Sequence, residues 1–384
     1  MSPRPRPLPD LMDELLEEAF LRIPPSDPVR LVRAALVCKR WCRLITDRGF
    51  RRRYREFHRT PSMPGFLYNF ERSACLVQTS SFRLPQPPVS SQLCWRTIDS
   101  RHGRILFRID PYISDVLAVW DPITNELHEL PTRPWHMNTY MIPVPWYHWN
   151  VAVLCAATGS CDHLDCHLGP FLVVFIGTNR VGMFTSVYSS EANAWSALTY
   201  VPREGSEHVY PSFDMIPDAI GGNALYFLCE ESTQIVEYDL TTKQVSSKIT
   251  LPPTSYKVPK TVLTTTEDGA LGFARIEDSR LCLWSREADH GDNEACCNWI
   301  QSKVIELGML LPYQNLSKTS YFVVGFADGA GVIFVVTNYP RLLFSIDLKS
   351  LQVTELGEGF FTVVFPFLSF CTPALGAAFT SEGS

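Results

Sequence analysis

Between Leu117 and Leu348 one pattern keeps returning: an apolar run of strand length that ends on a polar turn. Its copies are Leu117-Ala118-Val119-Trp120-Asp121, Ser186-Val187-Tyr188-Ser189, Ile235-Val236-Glu237-Tyr238-Asp239, Leu281-Cys282-Leu283-Trp284-Ser285 and Leu343-Phe344-Ser345-Ile346-Asp347. A Gly turn opening into another apolar run stands ahead of most of them, at His102-Gly103, Gly221-Gly222, Asp268-Gly269 and Asp328-Gly329. The landmarks Asp121, Ser189, Asp239, Ser285 and Asp347 lie 68, 50, 46 and 62 residues apart. Four short strands with their turns need about 40–50 residues. The intervals therefore predict the blades of a β-propeller, some with inserted loops. About six blades fit, with five or seven as the neighbouring counts, and the signal is faintest over residues 65–100. A plain pair of β-sandwiches is the competing architecture.

The chain of 384 residues exceeds what one ordinary core supports, so a small domain beside the large one is expected. A hydrophobic share of 46% with 19% charged residues describes a folded protein. The net charge of −6 conceals an asymmetry: residues 1–60 carry +6 and the remainder −12. No apolar h-region follows the arginines of MSPRPRPLPD, so a secretory signal is not expected. No run of about 18 apolar residues is present, which argues against a membrane span. The most apolar run, Phe360 to Phe370, is interrupted by Pro366 and reads as a buried strand. Twelve scattered cysteines then read as reduced thiols, the Asn315-Leu316-Ser317 sequon as silent, and the compartment as cytoplasm, nucleus or both.

Leu8 to Ile45 differs from everything after it. Leu11, Met12, Leu15, Leu16, Ala19, Phe20 and Ile23 alternate steps of one and three, which is one stripe of a helix. Pro24-Pro25 ends that helix, because neither residue can donate to the ladder. Ser26 or Asp27 can cap the next one, with Pro28 in the first turn. Val29, Val32 and Leu36 form one face of this second helix. Val37, Trp41, Leu44 and Ile45 form a second, rotated face, so the spacing predicts a bent or restarted helix. About forty residues cannot enclose so many large apolar groups, each worth roughly 1.5–3 kcal/mol when buried. Some of them must face a partner or the β-domain.

The order Leu8-Pro9, Glu14-Leu15-Leu16-Glu17-Glu18, Leu21-Arg22-Ile23-Pro24-Pro25, Val37-Cys38-Lys39-Arg40-Trp41 and Leu44-Ile45 resembles the F-box. That is the module by which substrate receptors of SCF-type ubiquitin ligases dock on the Skp adaptor and through it on a cullin. Here Asp10-Leu11-Met12 intervene between the Leu-Pro pair and the Glu-Leu-Leu run. The continuation into FRRRYREFHRTP looks like a large F-box family of cereal grasses, and the repeats behind it resemble the Kelch-like F-box-associated propeller. The resemblance implies an all-α, three-helix F-box in front of a large all-β domain. It also implies adaptor contacts at Leu8, Pro9, Leu11, Leu15, Leu16, Ile23, Pro24, Leu31, Val32, Val37, Lys39 and Trp41. The expected division is a tail at 1–7, the F-box at 8–47, a basic helical linker at 48–64, the propeller at 65–377 and a tail at 378–384.

In the linker, Arg48 to Arg59 places Phe50, Tyr54 and Phe57 on one helical face. Arginines among aromatics suit nucleic acid, but the acidic remainder would repel phosphates, so a stalk anchored to the β-domain is the expectation. Target-binding candidates are the aromatics Trp135, Trp146, Tyr147 and Trp149 in expected rim loops, with packing between blades as the competing role. One cluster carries metal-ligand chemistry: Cys155, Cys161, His163, Cys166 and His167. It lacks a C-x-x-C pair, and Asp162 and Asp165 equally suit a polar turn, so neither a metal nor a cofactor is assigned. No third group completes a Cys–His catalytic pair there, and Gly329-Ala330-Gly331 precedes a strand, so it is no phosphate loop. The expected function is a non-catalytic receptor for an unknown protein substrate. A propeller-fold hydrolase or a non-ligase interaction scaffold is the alternative.

Overall fold

The computed structural model describes residues 12–71, 73–88, 95–109, 116–132, 148–157, 161, 163, 166, 167, 169–178, 182–201, 219–229, 234–254, 260–287, 299–312 and 319–372. Four helices come first: α1 (Asp13–Leu21), α2 (Pro28–Val37), α3 (Lys39–Thr46) and α4 (Arg48–His58). Pro28 opens α2, as expected, but the Asp27 side chain makes no cap bond and pairs instead with Arg30 at 2.8 Å. The restart lies at Cys38, which is extended, and its sulfur accepts the Trp41 N–H at 3.5 Å as the cap of α3. Asp47 caps α4, its Oδ1 accepting from Gly49 at 2.8 Å and Phe50 at 3.1 Å.

Helix α4 is more than a stalk. Phe50 and Tyr54 are fully buried in the same core as Leu16, Phe20, Leu31 and Ile45. The Tyr54 hydroxyl donates to the Ile23 carbonyl and His58 Nε2 to that of Leu21, both at 2.8 Å. These two bonds close the core, and Phe57, placed by spacing on the same face, is left 57% exposed. Phe370, from the far end of the chain, completes this cluster against the Tyr54 ring at 6.0 Å between centroids.

The strands form six sheets. First come β1 (Ser62–Phe70) and β2 (Ser73–Gln78). The next sheet holds β3 (Trp95–Arg101), β4 (Arg104–Ile109), β5 (Leu117–Asp121) and β6 (Glu126–Glu129). The third holds β7 (His148–Cys155), β8 (Phe171–Thr178), β9 (Met183–Ser189) and the short β10 (Ala194–Trp195) and β11 (Thr199–Val201). The fourth is β12 (Ala219–Gly221), β13 (Ala224–Leu228), β14 (Gln234–Asp239) and β15 (Gln244–Thr250). The fifth is β16 (Thr261–Thr265), β17 (Leu271–Glu277), β18 (Arg280–Arg286) and β19 (Trp299–Glu306). The sixth is β20 (Tyr321–Ala327), β21 (Val332–Thr337), β22 (Leu342–Asp347) and β23 (Val353–Glu358). Finally β24 (Val364–Ser369) pairs with β1, in the order β2-β1-β24. It stands between β20 and β3, the innermost strands of its neighbours, and so closes a six-bladed propeller. The apolar run at Phe360 to Phe370 is thus the closing strand.

The sequence repeat corresponds to one part of each blade. Its Gly turns at 103, 222, 269 and 329 lead into second strands, and its polar ends finish third strands. Asp121, Asp239 and Asp347 each accept two backbone N–H groups from the residues two and three positions on, at 2.6–3.3 Å. Four positions after each Asp, Asn125, Lys243 and Leu351 take positive φ. The repeat is therefore an Asx turn written into successive blades. Ser285 breaks the series, for it lies inside β18 and pairs with Ile300 and Gly272. The faint region at 65–100 has a simple cause: that blade draws two strands from one end of the chain and one from the other. Its first strand already begins at Ser62.

The Asp347 turn carries a pH-dependent share of stability. N–H bonds from Ser350 and Lys349 hold the Asp347 carboxyl below the ordinary carboxylate range. A depressed folded-state value contributes stability above about pH 4, and that contribution is lost as pH falls through it. Asp347→Ala is expected to cost about 1 kcal/mol at pH 7. Asp347→Asn keeps the acceptor, so the Tm gap between wild type and Asn should close between pH 5 and 3 on thermal melts (about 4 being the unfolded value).

Candidate functional site

Two ends of the ring must be distinguished. Ser369, the last residue of β24, pairs with Ser62, just beyond α4, so the helices sit where the innermost strands finish. The connections from second to third strands, and from each blade to the next, lie at the far end.

On the helical module the large apolar groups divide cleanly. Leu16 and Leu31, both expected to contact the adaptor, are 5% and 0% exposed and form the core of the module. Their side chains are taken up by the module's own packing. Leu15 and Val37 are 51% and 63% exposed. Pro24 and Lys39 are also exposed, and Ile23, Val32 and Trp41 are half-buried. Trp41 leans edge-on against Phe20 at 5.2 Å. Leu8, Pro9 and Leu11 lie outside the described residues.

Met12, in the segment that intervenes before the Glu-Leu-Leu run, is 63% exposed, and Leu36, which is not among the expected contacts, is 62% exposed. The Asp13–Arg40 ion pair, 2.8 Å long, brings the start of α1 to the start of α3. Met12 and the corner formed by Leu36, Val37 and Lys39 therefore share one end of the module. The Arg53–Glu17 ion pair ties α4 to α1. The result is a cross-tied scaffold with an apolar face that the described residues leave open. Of the aromatics among the arginines of α4, Phe50 and Tyr54 point inward and Phe57 is exposed.

At the helix end of the ring a cavity of about 250 Å³ opens, lined by Asp99, Arg101, His102, His163, Asp328 and Phe367 among others. It holds carboxylate, imidazole and guanidinium, but these groups are committed. Asp99 accepts from Arg101, from Ser100 N and, across blades, from Val153 N at 2.8 Å. His102 Nδ1 accepts the Cys155 N–H at 3.0 Å. Burial, helped by the charges of Arg101, His163 and Arg104, pushes the His102 imidazole down to about 3. It is neutral near pH 7 and is held there as a hydrogen-bond acceptor.

Beside the cavity, Cys155, Cys161, His163 and Cys166 converge. The Cys166 thiol, directed at the Cys155 sulfur, pulls the Cys155 thiol down to about 4 against the opposing effect of burial. His167, the fifth residue grouped with them in sequence, turns elsewhere: Nδ1 lies 3.0 Å from both Asp121 oxygens and Nε2 3.1 Å from Ser369 Oγ. Gly103 makes room for that ring, since a Cβ there would stand 2.6 Å from its Cε1.

At the far end, Trp149 proves to be a strand residue of β7, half-buried, with Arg108 4.5 Å above its ring. The rim-loop placement of Trp149 is thereby corrected; β-strand pairing starts at His148, earlier than the aromatic run suggested. Trp135, Trp146 and Tyr147 lie outside the described residues. An aromatic and cationic group does stand at that end. Phe70, Tyr339 and Phe360 are 42%, 67% and 59% exposed, and Arg341 covers the Phe360 ring at 3.7 Å.

Residues 8–53 match the F-box domain family, a span that includes the first half of α4. The chain thus carries an F-box domain at its N-terminus, followed by a six-bladed β-propeller. No curated protein matches the chain. Among solved structures it is similar to a protein of unknown function from Bacteroides caccae, at 11% identity and a TM-score of 0.44 over 80% of this chain and 99% of that one. It is also similar to the β-propeller domain of Myceliophteria thermophila Cps50 (Swd1), at 11% identity and 0.41 over 77% and 83%. A third likeness is to Kuenenia stuttgartiensis hydrazine synthase, at 12% identity and 0.36 over 72% and 71%. Among the described residues no helix is long and apolar enough to cross a membrane.

Proposed function

We propose that this chain, an F-box domain set on a six-bladed propeller, is the substrate receptor of an SCF-type ubiquitin ligase. The observation that carries the reading is the open apolar face of Met12, Leu15, Leu36 and Val37 on a module whose interior is already complete. A domain that packs its own core and still exposes such groups is built for a partner. The partner is a Skp-family adaptor and, through it, a cullin. The contacts are Leu15, Ile23, Pro24, Val32, Val37, Lys39 and Trp41, with Leu8, Pro9 and Leu11 ahead of them. Such a receptor is non-catalytic and works in the cytoplasm or nucleus.

The target binds the propeller at the end remote from the helices, where Phe70, Tyr339, Arg341 and Phe360 gather, and Trp135, Trp146 and Tyr147 are proposed to add to its contacts. Large aromatics and Arg are the side chains that anchor interfaces. The repeat of Asx turns and Gly turns supports a Kelch-like propeller, and the wording of the F-box and its basic continuation supports a plant origin in the grasses. The groups in the helix-end cavity are tied into cross-blade bonds, which disfavours the hydrolase alternative.

Affinity capture from plant extract tests the reading with full-length chain and a chain lacking residues 1–47. Adaptor and cullin should be lost on deletion while other partners persist. Retention of adaptor by the deleted chain would overturn the assignment.

A further inference from the structure

The loop between β7 and β8 is out of proportion to its task. These strands are adjacent and antiparallel, with Cys155 opposite Phe171. Two residues make the same connection between β3 and β4, where Arg101 is already opposite Arg104. Here the chain takes residues 156–170, and its described part shows little regular bonding beyond Ala156 N to the Pro170 carbonyl at 2.9 Å and Gly169 N to that of Cys166 at 3.3 Å. Loops of that length inside a compact domain need something else to fix them.

Four side chains supply it. Cys155 comes from the end of β7, and Cys161, His163 and Cys166 come from the loop. One ligand atom from each lies within 4.8 Å of all the others. The Cys155 and Cys161 sulfurs are 3.7 Å apart, as are those of Cys161 and Cys166. For a tetrahedral zinc ion with Zn–S bonds of about 2.3 Å, geometry requires sulfurs roughly 3.8 Å apart. The outer contacts suit the same centre. The Ala157 N–H points at the Cys155 sulfur at 3.4 Å, and a backbone donor of that kind spreads thiolate charge. The His163 ring stacks on His102 at 4.8 Å, and His102 in turn accepts the Cys155 N–H. Cys166 is buried and His163 exposed, which gives both a closed interior and a way in.

We propose that Cys155, Cys161, His163 and Cys166 form a structural zinc site. On binding, Cys155, Cys161 and Cys166 all bond as thiolates, any thiol still protonated releasing its proton to solvent, while His163 bonds as neutral imidazole. The site then carries one net negative charge. All four positions are filled by the protein, so the centre is structural and leaves no place for a substrate. Its task is to pin the loop that carries His167. That residue joins the Asp121 turn to Ser369, and Ser369 leads directly into Phe370 in the helical core. Zinc thereby stiffens the seat of the F-box domain.

The test uses the full-length chain, purified under reducing conditions and dialysed against a weak chelator. Inductively coupled plasma mass spectrometry should give one zinc per chain. Replacement by Co²⁺ should give the intense visible bands of tetrahedral thiolate coordination. Cys161→Ser should abolish stoichiometric zinc. His163→Ala, a change at an exposed side chain expected to leave the circular dichroism spectrum unchanged, should weaken zinc by at least about 100-fold, more than outer-shell changes do. Removing zinc from wild type should raise proteolysis within residues 156–170. Substoichiometric zinc in wild type, or equal retention by both variants, overturns the proposal. So does a Cys155–Cys161 disulfide mapped in freshly lysed cells, which would assign the cluster to redox chemistry instead.

Discussion

Leu15→Asp combined with Val37→Asp should leave the protein folded and weaken adaptor binding by at least about 100-fold. Both side chains are more than half exposed, so neither change opens a cavity or places a charge in the core. At an interface, well-buried apolar anchors contribute about 2 kcal/mol or more each, and every 1.4 kcal/mol is about tenfold in affinity. Introduced carboxylates add the cost of burying charge against an apolar surface. Titration of purified adaptor onto both proteins, with circular dichroism as the control, decides the matter. Undiminished binding would remove the docking face from α1 and the corner between α2 and α3. Leu31→Ala is the instructive contrast. Leu31 is fully buried, so its truncation should cost about 2–5 kcal/mol of stability and reduce binding only by loosening the module.

Phe370→Ala should have the second large effect, about 3–5 kcal/mol, and the loss should be local. Phe370 follows the closing strand, yet its ring sits in the helical core against Tyr54. Arg51 Nε to Thr372 Oγ1, at 3.3 Å, is a weak second tie at the same place. Amide hydrogen exchange should therefore speed up in α1 to α4 and change little in β13 or β17. A uniform rise across the propeller would show that the two domains are one cooperative unit. Unchanged protection in α4 would show that Phe370 is dispensable.

Both variants probe features that the sequence showed unevenly. The blade pattern was visible because Asp121, Asp239 and Asp347 perform one local job, and local jobs leave local signatures. Helix restart at Cys38 and the opening at Pro28 were visible for the same reason. What a face meets was harder to read. Leu15 and Leu16 are neighbours with the same chemistry, and only the position of Ile45 and Phe50 decides that Leu16 goes inside. Phe57 shares the spacing of Phe50 and Tyr54 but overhangs the core that they fill. Trp149 looked like a loop anchor because Pro and Trp crowd its N-terminal side, whereas pairing with Gly177 makes it part of a strand.

Long-range groupings were the least legible. Phe70 and Phe360 stand 6.5 Å apart by ring centroid and nearly 300 residues apart in sequence. No periodicity reports that. The cysteine group lacked a C-x-x-C signature because its first ligand is a strand end and the others come from a loop. A better signal was present in plain sight: the excess length between two strands that pair directly. His167 could not have been separated from His163 by spacing, since what distinguishes them is the carboxylate of Asp121.

Closure of the ring by β24 also sets an order of events during synthesis. The first blade cannot be finished until its innermost strand emerges, and at roughly 5–20 residues per second β1 waits roughly 15–60 s for it. Phe370, the last ring to enter the helical core, arrives still later. A nascent or prematurely terminated chain thus shows the cell an F-box whose interior is incomplete. The packing of α1 to α4 reaches its final form only after the closing strand of the propeller has been made, so the order of synthesis makes the helical module wait on the ring.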